Sequence, residues 1–355
     1  MVDLEDQDLF KAILELMQKK AKEKGAFVLK VDPDTAADDQ ATMELMTSLG
    51  FRHRGWDKTF GYNVQPRFGA ITYLTDEPMD EQLKRFQSRT RTNIRRSLKN
   101  GLFVELAPPS KLSIFDDLME TTADRDVFTA RPLDYFEDLY EAFAAARTET
   151  IDVQFFLIGL DIEEALASTY KDIKQRGKEI KRLEKKIAKA DEENPGQVQQ
   201  LEQLKRSYDK LEEDRRHFEP LVKQDSDNKI YLSGAIYLQS GNHAYYLYGA
   251  SSNKHRDLLP NYFMQWKMMN YAYDHGARLY DFGGISGQDD LDPEEDQAPG
   301  LWEFKKRFDA TRVERIGEFD CVFKPFQYKL YRMFMNYRAK QRKKRHAEAA
   351  KEAEE

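Results

Sequence analysis

A lysine stands among aromatic residues in the stretch APGLWEFKKRF at 298–308. On a helix turning about 100° per residue, Leu301, Trp302, Phe304 and Phe308 share one broad apolar arc. Lys305 falls inside that arc, between Leu301 and Trp302, while Glu303 and Arg307 fall opposite it. Holding a cation there costs free energy. It suits a reaction in which negative charge appears on an oxygen, because a low local dielectric strengthens the field of the ammonium. The plainer alternative is a lysine whose stem snorkels along the helix.

Other residues could serve a substrate. Arg131 and Tyr135 are four apart and share a helix or turn face, and the planar arginine fork suits phosphate. Core packing beside Phe136 and Leu139 is the simpler account of Tyr135. In YYLYGASS, strand alternation puts Tyr248 on the same face as Tyr246, so one of the two can be core. Asp32 ends a strand in KVDPD, where its carboxylate either meets an incoming ammonium or only shapes a turn. Gly283 and Gly284 follow LYDF and would allow a tight strand exit that makes room for substrate. Metal chemistry is not expected: the six histidines lack ligand spacing and there is one cysteine, Cys321.

The net charge of −7 hides segregation. Lys84 to Lys99, including Arg89, Arg91, Arg95 and Arg96, carries seven cations and no acid. Lys324 to Arg345, including Arg342, Lys343 and Lys344, carries nine and no acid. Such patches can hold a nucleic acid or an anionic membrane surface, or can be solvated helix faces. The acidic first residues are not a secretory signal, no apolar run is long enough to span a membrane, and one cysteine fits a reducing cytosol.

These residues need a scaffold. DLFKAILELMQKKAKEKG reads as an amphipathic helix ended by Gly25, followed by the strand AFVLKVD, a short helix ended by Gly50 and another strand. A second alternating series runs from RFGAITYLTD through the basic helix to VQFFLIGLD. Residues 163–222 then repeat apolar positions at spacings of four and three (Leu166, Tyr170, Ile173; Leu201, Leu204, Tyr208, Leu211), with the turn signal NPG at 194–196. This predicts an antiparallel helical hairpin with arms about 40 Å long. Strands resume with IYLSGAIYLQSGNHAYYLYG, and the whole predicts an α/β protein with a mixed sheet. Domains are expected at 1–65, at 66–162 with 223–323, and at 163–222 for the arm. A helix at 324–345 would dock on the first domain, with a charged tail at 346–355. Acyl-CoA transferases share such a sheet, but their pyrophosphate loop begins at Arg52-His53-Arg54-Gly55 and breaks at Trp56 and Asp57.

Several stretches in order, NVQPRFG, RTNIRRSLKNG, RDVFTARPLDYFEDL, YYLYGASS, LYDFGGISG and GLWEFKKRF, together with the helical insert, resemble the Fem family of aminoacyltransferases. The resemblance covers nearly the whole chain. It implies tandem acetyltransferase-like (GNAT-type) domains and transfer of an amino acid (Ala, Ser or Gly) from aminoacyl-tRNA, with no other cofactor. The acceptor would be the stem-peptide lysine amine of a peptidoglycan precursor, in building the interpeptide bridge. The hairpin favours lipid II over UDP-MurNAc-pentapeptide. A cytoplasmic protein with peripheral contact at the inner membrane face is implied. The family's matching Phe-Lys pair, here Phe304 and Lys305, lies between acceptor and donor, and the residues matching Arg131, Tyr135 and Tyr248 contact the precursor. The cationic stretches are candidates for tRNA. The match starts inside the first family domain, so roughly 70–80 family residues would lack a counterpart, leaving a sheet edge uncovered. An acetyltransferase with a small acyl donor and a non-catalytic RNA-binding protein are the competing readings.

Overall fold

The computed structural model describes residues 6–55, 66–126, 128–189, 194–223, 228–286 and 299–352, with the side chains of 299, 339–340 and 342–352 outside that set. The chain opens with α1 (Gln7–Glu23), β1 (Val28–Val31), α2 (Gln40–Ser48) and β2 (Arg52–His53). Next come β3 (Phe68–Tyr73), α3 (Met79–Gln82), α4 (Ser88–Ser97), β4 (Leu102–Leu106), α5 (Leu112–Asp126), α6 (Leu133–Ala145) and β5 (Ile151–Asp161). The hairpin is α7 (Ile162–Ile187) and α8 (Pro195–Phe218). After it lie β6 (Lys229–Ser240), β7 (His243–Ser251), α9 (Pro260–Asp274) and β8 (Leu279–Ile285). The chain closes with α10 (Pro299–Lys305), β9 (Thr311–Glu314), β10 (Phe319–Val322) and α11 (Pro325–Glu352).

A seven-stranded sheet runs β4-β5-β6-β7-β8-β3-β9. Its pairs are antiparallel except β7 with β8, which run parallel through His243–Tyr245 against Leu279–Asp281. The mixed sheet expected from the alternating elements is therefore present. One face carries Phe86, Ile94, Trp266, Met268, Tyr280 and Phe308 under α4 and α9. The other carries Phe115, Phe136, Phe155 and Ile236 under α5 and α6. Apolar burial on both faces holds the strands as a rigid platform.

The smaller sheet orders β1-β10-β2, all antiparallel. Its core gathers Phe10, Leu14, Met46, Phe319 and Cys321. This corrects the expected boundary at 323. ERIGEFDCVF reads as one strand, but the chain turns at Gly317, whose φ is +91°. The segment before the turn edges the large sheet, while the segment after it closes the small one because Phe319 and Cys321 need that core. Gly25 and Gly50, with φ of +72° and +82°, end α1 and α2 as their positions predict.

The hairpin is rooted where Gly101, at φ +69°, packs against Ala165; a Cβ there would lie 2.7 Å from the Ala165 Cβ. Asp161 caps α7, accepting from the Glu164 N–H at 3.0 Å, and Asn194 caps α8. Lys205 and Glu184 pair across the arms at 2.8 Å. In α11, Tyr328 donates to the Asp320 carboxylate and the Tyr331 ring packs at a tilt against Phe27, while Phe326, Leu330, Met333 and Phe334 stay exposed. The helix expected at 324–345 runs on to Glu352, through most of the expected tail; residues 353–355 and the side chains of Arg342, Lys343 and Lys344 lie outside the described residues.

Candidate active site

The site forms where the parallel pairing of β7 and β8 stops. Each strand carries an irregularity just past that point. On β8, Asp281 pairs with Ile71 and Gly284 with Gly69, so two residues of β8 face one of β3. Gly283 takes up the extra length at φ +77°, and its N–H donates to Asp281 Oδ1 at 2.6 Å. Phe282 and Gly283 thus form a bulge inside the strand and Gly284 pairs on with Gly69, which corrects the strand exit expected at Gly283 and Gly284. On β7, Tyr248 pairs with Ile236 and Tyr246 with Tyr237, which leaves Leu247 as the extra residue.

That second bulge overturns simple alternation. Tyr246 packs on one side of the sheet with Tyr280 and Phe282, and Tyr248 packs on the other with Phe136 and Leu139. Both rings are partly buried, each against its own core, and the Tyr246 hydroxyl is the more deeply enclosed of the two. Burial pushes that hydroxyl far above the ordinary tyrosine range.

Lys305 ends α10, and the next three residues tighten into a 3-10 turn that Asp309 closes in a left-handed conformation. It is only 6% exposed, more deeply buried than Leu301, Trp302 or Phe304 on the same arc. Phe308, beside it, is fully buried. The Lys305 Nζ donates to Gly284 O at 2.6 Å. Burial is the main influence on this group; the Asp281 carboxylate opposes it and Arg315 adds to it, so its pKa falls to about 8. At neutral pH about nine-tenths of the side chain is still an ammonium. Phe304 packs edge-on to Tyr262 and Phe308, with centroids 5.4 and 5.1 Å away. The snorkelling alternative fails here, because the charged end is the buried end.

Residues that the sequence reading did not single out surround Lys305. Asp281 is 2% exposed and accepts from Arg315 Nη2 at 2.6 Å. Arg315 also reaches the small domain, donating to Asp34 Oδ1 at 2.9 Å. A Cβ on Gly69 would come within 2.5 Å of the Arg315 guanidinium, so the bare backbone there makes room for it. His243 Nε2 lies 3.7 Å from Asp281 Oδ2, beyond hydrogen-bond length, and its ring stacks on Tyr245. An acid in the apolar strand LYDF and an arginine just past a strand in VERIG were the available signals, and neither is specific. Asp32 lies in the small domain, within the field of Arg315. Burial above all, with Glu318 and Asp34 nearby, pushes its carboxyl up to about 6, against the pull of Arg315.

Arg131, Tyr135 and Tyr248 come together as a second group. Arg131 precedes α6 with its guanidinium carbon 5.2 Å from the Tyr135 ring centre. The Tyr135 and Tyr248 hydroxyls lie 2.8 Å apart. Burial first, then the hydrogen bond with Tyr135, push Tyr248 up to about 12. Tyr135 therefore packs at the margin of the core with its hydroxyl engaged. This group sits past the bulge of β7, and Lys305 sits by the bulge of β8, so the two flank the place where the strands stop pairing. Ligands commonly bind where the carboxyl ends of parallel strands part.

The cations of α4 divide. Arg89, Arg95 and Arg96 are exposed. Arg91 is half-buried and donates to the carbonyls of Lys84 and Phe86, which makes it a brace for the preceding turn. Among the described residues no helix is long and apolar enough to cross a membrane.

Comparison with known proteins agrees with this architecture. The model of the FemAB family matches residues 1–336. The lipid II:glycine glycyltransferase of Staphylococcus aureus (strain USA300) is 36% identical over 332 residues, covering 93% of this chain and 77% of that protein. The enzyme of the same name from strain Mu50 / ATCC 700699 matches equally, at 36% over 332 residues. A crystal structure of FemX superposes with a TM-score of 0.72 at 35% identity, covering 93% of this chain and 80% of that one. By sequence and by fold, the chain belongs to the FemAB family and is an aminoacyltransferase.

Proposed function

We propose that this protein transfers an amino acid from aminoacyl-tRNA to the stem-peptide amine of a peptidoglycan precursor during interpeptide bridge synthesis. The observation that carries the reading is a lysine ammonium buried where two parallel strands part. The relatives' names favour glycine as the residue carried and lipid II as the acceptor, over Ala or Ser and over UDP-MurNAc-pentapeptide. The protein would act in the cytoplasm, in peripheral contact with the inner membrane face.

The reaction is aminolysis of an ester. The acceptor nitrogen forms a bond to the ester carbonyl carbon, the carbonyl oxygen becomes an oxyanion, and the bond to the ribose oxygen then breaks. The acceptor gives up a proton and the ribose oxygen gains one. The ester is already activated, so no covalent enzyme intermediate is needed; alignment of the substrates and stabilisation of the oxyanion suffice. Lys305 would supply the stabilising charge. One N–H is committed to Gly284 O, and an ammonium has two more to offer. Asp32, raised to about 6, would meet the incoming ammonium, and Arg131 with Tyr135 and Tyr248 would hold the precursor's phosphate and peptide region. Arg89, Arg95 and Arg96 would face the tRNA backbone. The test offers glycyl-, alanyl- and seryl-tRNA with lipid II or the UDP-linked precursor and follows label transfer. Glycine transfer to lipid II is expected; no transfer in any combination, with RNA binding intact, overturns the proposal.

A further inference from the structure

We propose that Asp281, locked by Arg315 and the Gly283 N–H on the strand that receives the Lys305 ammonium, is a positioning residue that keeps Lys305 seated and charged. Arg315 would extend this seat to the small domain through Asp34. The inference deepens the reading above and rests on it for its catalytic meaning.

Three observations carry it. First, Lys305 is 6% exposed, and its hydrogen-bond partner there is a neutral carbonyl, Gly284 O. A cation that dry needs a counter-charge to stay protonated. Second, the carboxylate that supplies one lies three residues away on the same strand, and the bulge at Phe282–Gly283 shapes the backbone between them. Third, Asp281 is only 2% exposed, and Arg315 Nη2 and the Gly283 N–H each donate to its carboxylate at 2.6 Å. Burial works to raise its carboxyl, and Arg315 with the Gly283 N–H outweighs that and holds it below the usual range.

A simple ion-pair staple between the domains would need only Asp34, Arg315 and Asp281. It would not require a second cation in the field of the same carboxylate. Arg315 also works against Lys305, which gives the arrangement opposite signs that can be tested separately. Among the described residues, the charged and titratable groups around Lys305 are Asp281 on β8 and Arg315 after β9; beyond them stand His243 and Tyr245 on β7 and Asp34 and Asp32 of the small domain.

The experiment uses the full chain and does not depend on transfer. Acetic anhydride labels the uncharged amine, and site-resolved mass spectrometry across the alkaline range reads the midpoint at which Lys305 becomes reactive. Asp281→Asn is expected to lower that midpoint by about one pH unit, and Arg315→Gln to raise it. An unchanged or raised midpoint in folded Asp281→Asn overturns the proposal. If that variant does not fold, Arg315→Gln decides, and a midpoint that stays or falls is the refuting result. In an active preparation, the alkaline limb of the transfer rate moves with the labelling midpoint. Wild-type protein with the expected titration but no transfer would refute the proposed function and leave this inference standing.

Discussion

Replacing Lys305 with methionine keeps the length and apolar stem of the side chain and removes its charge. Burial draws the ammonium from the ordinary lysine value of 10.5 to about 8. At about 1.4 kcal/mol per tenfold change in proton affinity, the buried charge costs the fold about 3 kcal/mol. Methionine relieves that cost but leaves Gly284 O without its 2.6 Å donor, a loss of about 1–3 kcal/mol. The two effects nearly cancel, so thermal unfolding should shift little. Catalysis should not escape: removing one donor to an oxyanion costs about 10²–10³ in kcat, with KM for both substrates unchanged. The pH trends give a second check. Below pH 8 the folded and unfolded chains both hold the proton. Between about 8 and 10.5 the unfolded chain binds it more tightly, so wild-type stability should rise with pH across that window. Transfer, which needs the ammonium, should fall as pH passes about 8. Label transfer and thermal melts over one pH series measure both. An equal kcat in the methionine variant, or an alkaline rise in stability that persists in it, would refute the reasoning.

Arg131→Ala should raise KM for the precursor by about ten- to a hundredfold with little change in kcat, and Arg131→Lys should restore only part of it, because a point charge lacks the bidentate fork. Tyr135→Phe removes the 2.8 Å contact with the Tyr248 hydroxyl and should raise the same KM about fivefold, a loss of about 1 kcal/mol. Arg89→Ala with Arg95→Ala should weaken tRNA binding and lower the slope of log affinity against log salt by about two, as read in a salt titration. Gly101→Ala should destabilise the fold by about 2 kcal/mol in thermal melts, since it forces a side chain into a left-handed φ and against Ala165.

Much of the scaffold was legible because local chemistry and tertiary structure agree. Asp6 and Asp39 cap helices that end before Gly25 and Gly50, and the spacing of Ile173, Ile180, Leu204 and Leu211 fixed a hairpin whose seam is half-buried, as two helices alone must leave it. Where the reading failed, a single inserted residue was responsible. Leu247 carries Tyr246 and Tyr248 to opposite faces, and Gly283 turns an expected strand exit into a bulge. Period-two counting cannot detect a bulge, because the extra residue is defined by the partner strand and not by the strand itself. The small sheet shows the same limit: Phe319 and Cys321 look like a continuation of β9 until the core that needs them is known.

Lys305 was conspicuous because it broke a pattern, a charge within an apolar arc. Asp281 and Arg315 broke none, since an acid before two glycines and an arginine after a strand are ordinary in loops and turns. Their significance lies in long-range pairing: residue 281 with 315, 315 with 34, and 305 with the carbonyl of 284. Arg315 ties the two sheets together through Asp281, on the strand whose Gly284 carbonyl receives the Lys305 ammonium. A shift of the small domain would therefore change Asp281's hold on Lys305 before it disturbed either hydrophobic core. That coupling predicts that Asp34→Asn, an exposed change outside the large sheet, lowers kcat more than it lowers stability. Equal losses in both would mean that the Arg315 bridge only fastens the domains together.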